Sequence, residues 1–426
     1  MKRKKLVATL AAASAVVALA SVSMTGAGAD VRQQSQGISA DEITVAGLGP
    51  NNPYKQFGAD TGAQARFKVE NDKGGVNGRK INYLGWTDDG NSPDTNLQET
   101  RRLIQQEQVA ALVPVMTPWY LEGAKFAEQQ GIPAFGWGIS AGFCTTKFAF
   151  GFSGCLTPPP PVKVASNTWG GLIDEYFQSQ GEQQGAEGKT AAVIAEDNDS
   201  GKSGVKVIAA TAKAVDMDVV YEKASMPAAE GGTPVSDFSP YINDIMTSAD
   251  GGQPDVVFVV ISQNNLLGFA PALDAAGFDG LQTNAVLYSP QAAAIVKDDF
   301  VLTQFATPEA ASTTPAVQDF VDAVEAIDPE AVINQPTIAG YISADMFIQA
   351  LKKAGKNPTS ESIQKAAAKL TYGLKGMVGP TKYPKGFKAG TPCGQLAESD
   401  GTAWSVAVPF QCFQNINVKT LKPIKY

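Results

Sequence analysis

Short apolar runs alternate with longer stretches of helical spacing from residue 43 onward, and this alternation predicts the fold. Runs at 43–48, 81–85, 109–115 and 132–137 read as strands, and so do 190–195, 218–223, 256–261 and 285–288. Between them, 60–73, 95–108, 118–130, 162–179, 202–215, 235–249 and 266–276 carry apolar positions on helical turns. Thr117 before Pro118 predicts a cap and a first helical position, because Thr accepts from free N–H groups and Pro lacks the N–H that would be orphaned. The run at 256–261 is apolar throughout, as a strand buried on both faces would be. Strands and helices in such alternation imply parallel sheets covered on both sides. Later helical stretches fall at 317–327, 337–354 and 361–370, with a strand-like tail at 404–408.

The first unit, 43–95, is a βαβ module with a loop at Gly49-Pro50-Asn51-Asn52-Pro53, a stop at Gly74-Gly75 and a tight turn at Asn77-Gly78. The alternation breaks at 144–161, where Cys144 and Cys155 flank a short stretch ahead of four consecutive prolines, Pro158 to Pro161. A four-proline run is stiff and extended, and it marks a crossover between domains.

Composition then sets limits. The 426 residues are 44% apolar and 18% charged, enough for two cores of ordinary domain size. Residues 1–29 form a separate segment: Lys2-Arg3-Lys4-Lys5, an Ala-rich apolar run, and Ala27-Gly28-Ala29 as a small-x-small cleavage site. That pattern is expected of a secretory signal peptide; a membrane anchor is the rival reading, disfavoured by a short, small-residued run. Loss of its four basic residues takes the formal charge from −8 to −12. An acidic surface argues against nucleic acid and anionic membranes as partners. Export favours disulfides among Cys144, Cys155, Cys393 and Cys412; nearest-neighbour pairing gives Cys144–Cys155 and Cys393–Cys412, one of three possible connectivities. The chain has no His and no Cys-x-x-Cys, so neither a metal site nor a cofactor is expected.

Two catalytic look-alikes fail. Gly138-Ile139-Ser140-Ala141-Gly142 fits the nucleophile-elbow pattern, but no His exists to act as base. Gly185 to Thr190 resembles a phosphate loop, but that pattern needs Gly where Gln183 stands, and the stretch precedes a strand. The informative positions are the loops after the strands, where ligands bind in open parallel sheets. Trp119, Tyr120 and Trp137 offer flat apolar surface there, and helix starts after Thr117 and Ser140 would present free N–H groups to an oxyanion.

The opening module resembles the leucine/isoleucine/valine-binding family of solute-binding proteins of ABC transporters. The resemblance rests on Gln56-Phe57-Gly58, on Lys73-Gly74-Gly75-Val76-Asn77-Gly78-Arg79-Lys80, and on Asp88-Asp89 before Asn91-Ser92-Pro93. It implies an α/β fold of two doubly wound parallel-sheet lobes joined by a three-segment hinge, with crossings near 156, 301–308 and 373–380. The lobes would be 41–156 plus 309–375, and 157–308 plus 376–426. The function implied is an exported receptor, expected to be monomeric, that closes on a small-molecule ligand and delivers it to an ABC permease in the membrane.

The resemblance also places site residues. Phe57 stands where amino-acid-binding relatives use Tyr; Thr117 and Ser140 fall at their first-lobe hydroxyl positions; Ser200, Asn264 and Tyr288 fall at second-lobe positions. The two acids that would neutralise an α-ammonium fall near Leu156–Thr157 and Leu287–Tyr288, where no acid stands; Asp197 and Asp199 are the nearest substitutes. Burying an unpaired ammonium is costly. The expected ligand is therefore small and largely apolar or aromatic, a carboxylate included. A branched-chain amino acid or short amide is the alternative within the class; a secreted hydrolase and a sensor ectodomain are the alternatives outside it.

Overall fold

The computed structural model describes residues 35–229 and 233–424; the expected signal peptide lies outside them. Strands β1 (Glu42–Gly49), β2 (Lys80–Asp88), β3 (Ala111–Val115), β4 (Ala134–Gly136) and β5 (Ala149–Gly151) form one parallel sheet in the order β2-β1-β3-β4-β5. Helices α1 (Ala59–Asp72), α2 (Pro93–Gln105), α3 (Glu122–Gln130) and the short α4 (Gly142–Thr145) connect them. Residues 35–40 are tied down ahead of β1: Ile38 is buried and bridges to Ile43.

The chain then passes through β6 (Val164–Ser166) and α5 (Thr168–Ser179), a break within what the periodicity reads as one helix. A second sheet follows, from β7 (Thr190–Glu196), β8 (Asp218–Met226), β9 (Val256–Val260), β10 (Leu281–Asn284) and β11 (Phe300–Thr303). These five are parallel, in the order β8-β7-β9-β10-β11. Helices α6 (Asp199–Lys213), α7 (Ser239–Met246), α8 (Gln263–Ala275) and α9 (Pro290–Ala293) link them. The strand expected at 285–288 lies earlier, at β10, and 285–288 is the loop that follows it.

After β11 the chain returns to the first sheet with α10 (Pro315–Glu325), α11 (Gln335–Ala354) and α12 (Ser360–Ala367). The sequence dictates where α11 docks. A Cβ on Gly62 would meet the Thr337 carbonyl and one on Gly340 the Ala59 carbonyl, so facing glycines let α1 and α11 touch backbone to backbone. Beside that contact Arg66 Nε donates to Asp345 at 2.8 Å and Lys352 pairs with Glu70 at 2.6 Å.

Residues 373–380, expected as a bare third crossing, instead belong to the hairpin β12 (Thr371–Leu374) and β13 (Val378–Lys382). Its Tyr372 and Tyr383 hydroxyls donate to Ile342 and Gly151 on the first-sheet side. The chain re-enters the second sheet at β14 (Cys393–Ser399), which pairs antiparallel with β11 and with β15 (Trp404–Cys412). A last strand, β16 (Asn415–Asn417), pairs with β6. The three connecting stretches lie side by side: Gly154 bridges Gly390, Phe305 bridges Val378, and Cys155 N donates to Gly386 O at 2.7 Å. Both cysteine pairs are disulfides, Cys144–Cys155 and Cys393–Cys412. Among the described residues no helix is long and apolar enough to cross a membrane.

Candidate ligand-binding site

Parallel strands leave their carboxyl ends at one edge of a sheet, so the loops there are where a ligand can sit. The two sheets turn these edges toward each other around a cavity of about 190 Å³. Tyr54 follows β1, Pro118 follows β3, and Trp137 and Ile139 follow β4. Glu196 and Ser200 come from the end of β7 and the start of α6; Ile261 and Ser262 follow β9; Val286 follows β10; Leu302 lies in β11 and Gln304 follows it. The crossover residues Leu156, Thr157 and Pro158 form one side. The lining is mostly apolar and contains neither Lys nor Arg.

The first sheet supplies an aromatic wall. Trp137 is almost fully buried, lies roughly parallel to Phe152 with centroids 6.4 Å apart, and meets Tyr54 edge to face at 6.4 Å. Its indole N–H donates to Gln304 Oε1 at 3.0 Å. Indole is a donor only, so it bonds the carbonyl end of that amide, and Gln304 itself lies on the lining. Burial, reinforced by Asp89 and Glu196, raises the Tyr54 phenol above its ordinary value, so it stays neutral and able to donate. Thr157 Oγ1, also on the lining, is buried without a protein partner.

The second sheet supplies two helix starts and one acid. Asn198 caps α6, accepting from Gly201 N at 2.8 Å, and Ser262 caps α8. Gly201 is required here: a Cβ would strike the Glu196 carbonyl. The Glu196 carboxylate sits between these starts. Its Oε1 accepts from Ser262 N (2.9 Å), Ser262 Oγ (2.6 Å) and Asn265 Nδ2 (2.7 Å), and its Oε2 from Asn198 Nδ2 (3.2 Å).

Hydrogen bonds span the two sheets. Ser200 Oγ donates to Ile139 O at 2.9 Å. Asn91, after β2, donates to Ala229 O at 2.8 Å while accepting from Trp119 Nε1 at 2.9 Å. Gln335, at the start of α11, donates to Ala285 O at 2.6 Å.

Of the residues expected to bind ligand, Trp137 and Ser200 line the cavity; Phe57, Thr117, Trp119, Tyr120, Ser140, Asn264 and Tyr288 do not. The reasons are local. The helix expected from Pro118 begins at Glu122, and Thr117 accepts from Trp119 N while its hydroxyl bonds Asp89. Ser140 Oγ accepts from Gly142 N, at the head of a four-residue helix. Tyr120 packs on Phe143 in the core, Trp119 is held by Asn91, and Tyr288 donates to Glu309 and packs on Trp404. Phe57 lies just beyond Tyr54, which takes the cavity position of that loop. Asn264 Nδ2 is buried without a partner, away from the lining. Asp197 and Asp199 do not line it either; Asp197 pairs with Lys202 on the surface, and the acid at the cavity is Glu196.

Two α/β layers with facing strand ends, three connections and an apolar cavity between them define a two-lobed ligand receptor. The periplasmic binding protein family model matches residues 42–403, and the chain belongs to that family, with its type I fold. No curated protein matches the chain. Solved structures that share the fold include a fatty acid ABC transporter substrate-binding protein from Thermomonospora curvata (16% identity, TM-score 0.71, 90% of this chain and 96% of that one). A solute-binding protein from R. palustris in complex with 4-hydroxybenzoate matches at 17% identity and TM-score 0.68, covering 87% and 97%. A branched chain amino acid ABC transporter protein from Thermus thermophilus with bound valine matches at 14% and 0.65, covering 88% and 97%.

Proposed function

We propose that the chain is the extracytoplasmic receptor of an ABC importer, that it binds a small, largely apolar or aromatic molecule without transforming it, and that it acts as a monomer. The observation that carries this reading is the cavity itself. An apolar cavity of about 150 Å³ takes a benzene ring, and this one, at about 190 Å³, has room for a ring or branched chain plus one substituent. The lobes are 41–156 plus 309–375, and 157–308 plus 376–426. Trp137, Tyr54, Leu302 and Val286 grip the apolar body. Ser200 and Asn91 tie the halves together once the ligand is in place, so binding shifts an open population to a closed one.

Neighbours in fold carry 4-hydroxybenzoate and valine, which brackets the size of the proposed ligand. The valine-like reading has one observation in its favour, the Glu196 carboxylate on the lining.

The test is native mass spectrometry of the purified protein, followed by denaturing extraction. A co-purified aromatic or branched apolar compound is expected. Leucine or a similar amino acid would favour the second reading, and a chemically changed ligand would overturn both.

A further inference from the structure

Asn265 uses more of its side chain than a place in the first turn of a helix requires. It is fully buried, stands three residues past the Ser262 cap of α8, and does not line the cavity. A primary amide has two N–H donors and one carbonyl acceptor. Here Nδ2 donates to Glu196 Oε1 at 2.7 Å and to Pro227 O at 3.0 Å, while Oδ1 accepts from Val235 N at 2.7 Å. Both polar ends of the side chain are bonded, and they join two different structures: the acid on the cavity wall and the chain that leaves β8.

That chain meets the other lobe. Ala229, two residues after Pro227, is buried and accepts from Asn91 Nδ2 at 2.8 Å. Asn91 is itself fixed. Its Oδ1 accepts from Trp119 Nε1 at 2.9 Å, its backbone N–H donates to the buried Asp89 at 3.0 Å, and its φ of 53° lies in the left-handed region, where Asn is one of the few side chains tolerated. A continuous path therefore runs from Asp89, beneath the first-sheet wall, through Asn91, the stretch Pro227 to Ala229, and Asn265, to Glu196 in the second-sheet wall. One planar amide sets both the cavity acid and the interlobe contact. A buried network of this kind favours a single arrangement, because any member left unpaired is costly.

We propose that Asn265 is a positioning residue for ligand capture. A ligand seated against the second sheet holds Glu196 in place, Glu196 holds Asn265, and Asn265 keeps Pro227 to Ala229 within reach of Asn91. Without lining the cavity, Asn265 couples the shape of the cavity to closure of the lobes and sets how long a ligand is held. The proposal rests on the receptor reading above, and the test separates the two.

Stopped-flow tryptophan fluorescence of the full mature protein, with Trp137 on the lining as reporter, reads the rates. Acetophenone, benzoate and L-leucine serve as probes, so that a neutral, an anionic and a zwitterionic ligand are each tried. For whichever bind, Asn265→Ala should raise the dissociation rate constant about tenfold, as the loss of one or two hydrogen bonds would. The association rate constant should change by less than about twofold. Asn265→Ser, which keeps a hydroxyl, carries the same measurement if Asn265→Ala does not fold. Asn91→Gly tolerates the same backbone conformation and removes the amide; it should raise dissociation about three- to tenfold. Because both residues act through one path, the double variant should dissociate no faster than the faster single variant, a result that a general loosening of the fold does not produce. An unchanged dissociation rate in the Asn265 variants, or rate increases that multiply in the double variant, would overturn the coupling and leave the receptor reading standing. Failure of all three probes to bind at millimolar concentration would overturn the ring-sized pocket and the inference with it.

Discussion

The two sheets end in loops of the same kind and use them differently. On the first sheet the polar side chains turn inward. Thr117, Asn96 and Asn91 N address Asp89, Ser140 caps its own turn, and what reaches the cavity is aromatic: Tyr54 and Trp137. On the second sheet the polar side chains reach the cavity, but in a closed network around Glu196. Each lobe thus buries one carboxylate near its strand ends. Asp89 lies beneath the wall and Glu196 forms part of it. The lesson is that a strand-end loop rich in hydroxyls is not for that reason a ligand contact; the local hydrogen bonds decide.

The aromatic side of this contrast carries the largest expected effect. Trp137→Ala removes a buried ring stacked on Phe152 and the anchor of Gln304, and should cost about 3–5 kcal/mol of stability. Chemical denaturation measures it, and a loss under about 1 kcal/mol would show that the wall is not a packed element. The disulfide Cys393–Cys412 closes a sequence separation of 19 residues where β14 and β15 begin and end. Replacing both cysteines by Ser should lower stability by about 2–4 kcal/mol, read as a fall in midpoint relative to the unmodified protein.

Asp89 gives a pH signature on the first-sheet side. Burial pushes its carboxyl up to about 6, against 3.8 for the free group, with Asp88 adding and the bonds from Thr117 and Asn96 opposing. Because the folded value lies above the unfolded one, the folded state holds more protons between them, and this group's contribution to stability falls as pH rises from about 4 to 6. Asp89→Asn should remove that slope and gain up to about 3 kcal/mol above pH 6, with little change at pH 4. Thermal denaturation across this range checks it; an undiminished slope would refute the assignment to Asp89.

The smallest effect belongs to the hydrogen bonds that join the sheets. Ser200→Ala and Asn91→Ala should each weaken ligand binding by about 0.5–1.5 kcal/mol through loss of the contacts to Ile139 and Ala229. Neither should change the ligand's rank order.

The alternation of strands and helices was legible because β9 and β3 are apolar on both faces and the helices carry a clear period. The return of α11 to α1 was not, because it depends on two glycines 278 positions apart meeting in space. At the site, Trp137 was found from its position after a strand and Ser200 through the resemblance to the binding-protein family. Tyr54 was passed over for Phe57 in the same loop, and Glu196 for its neighbours Asp197 and Asp199, although an acid closing the apolar run Ala191 to Ala195 was a usable signal. Gln304 follows a strand that leads into a crossing, outside the loops that join strand to helix, and only its place in the apolar stretch 300–306 set it apart. Thr117 looked like a helix cap because of Pro118, and the structure spends it on Asp89 instead.

The central claim is that the ligand lies between Trp137 and the strand ends of the second sheet. The most direct measurement is the anomalous scattering of ring-brominated acetophenone bound in a crystal of the protein. A single bromine peak is expected inside the cavity, between Trp137 and the Val286–Leu302 wall. A peak on any other surface of the protein, with the cavity free of the probe, would contradict it.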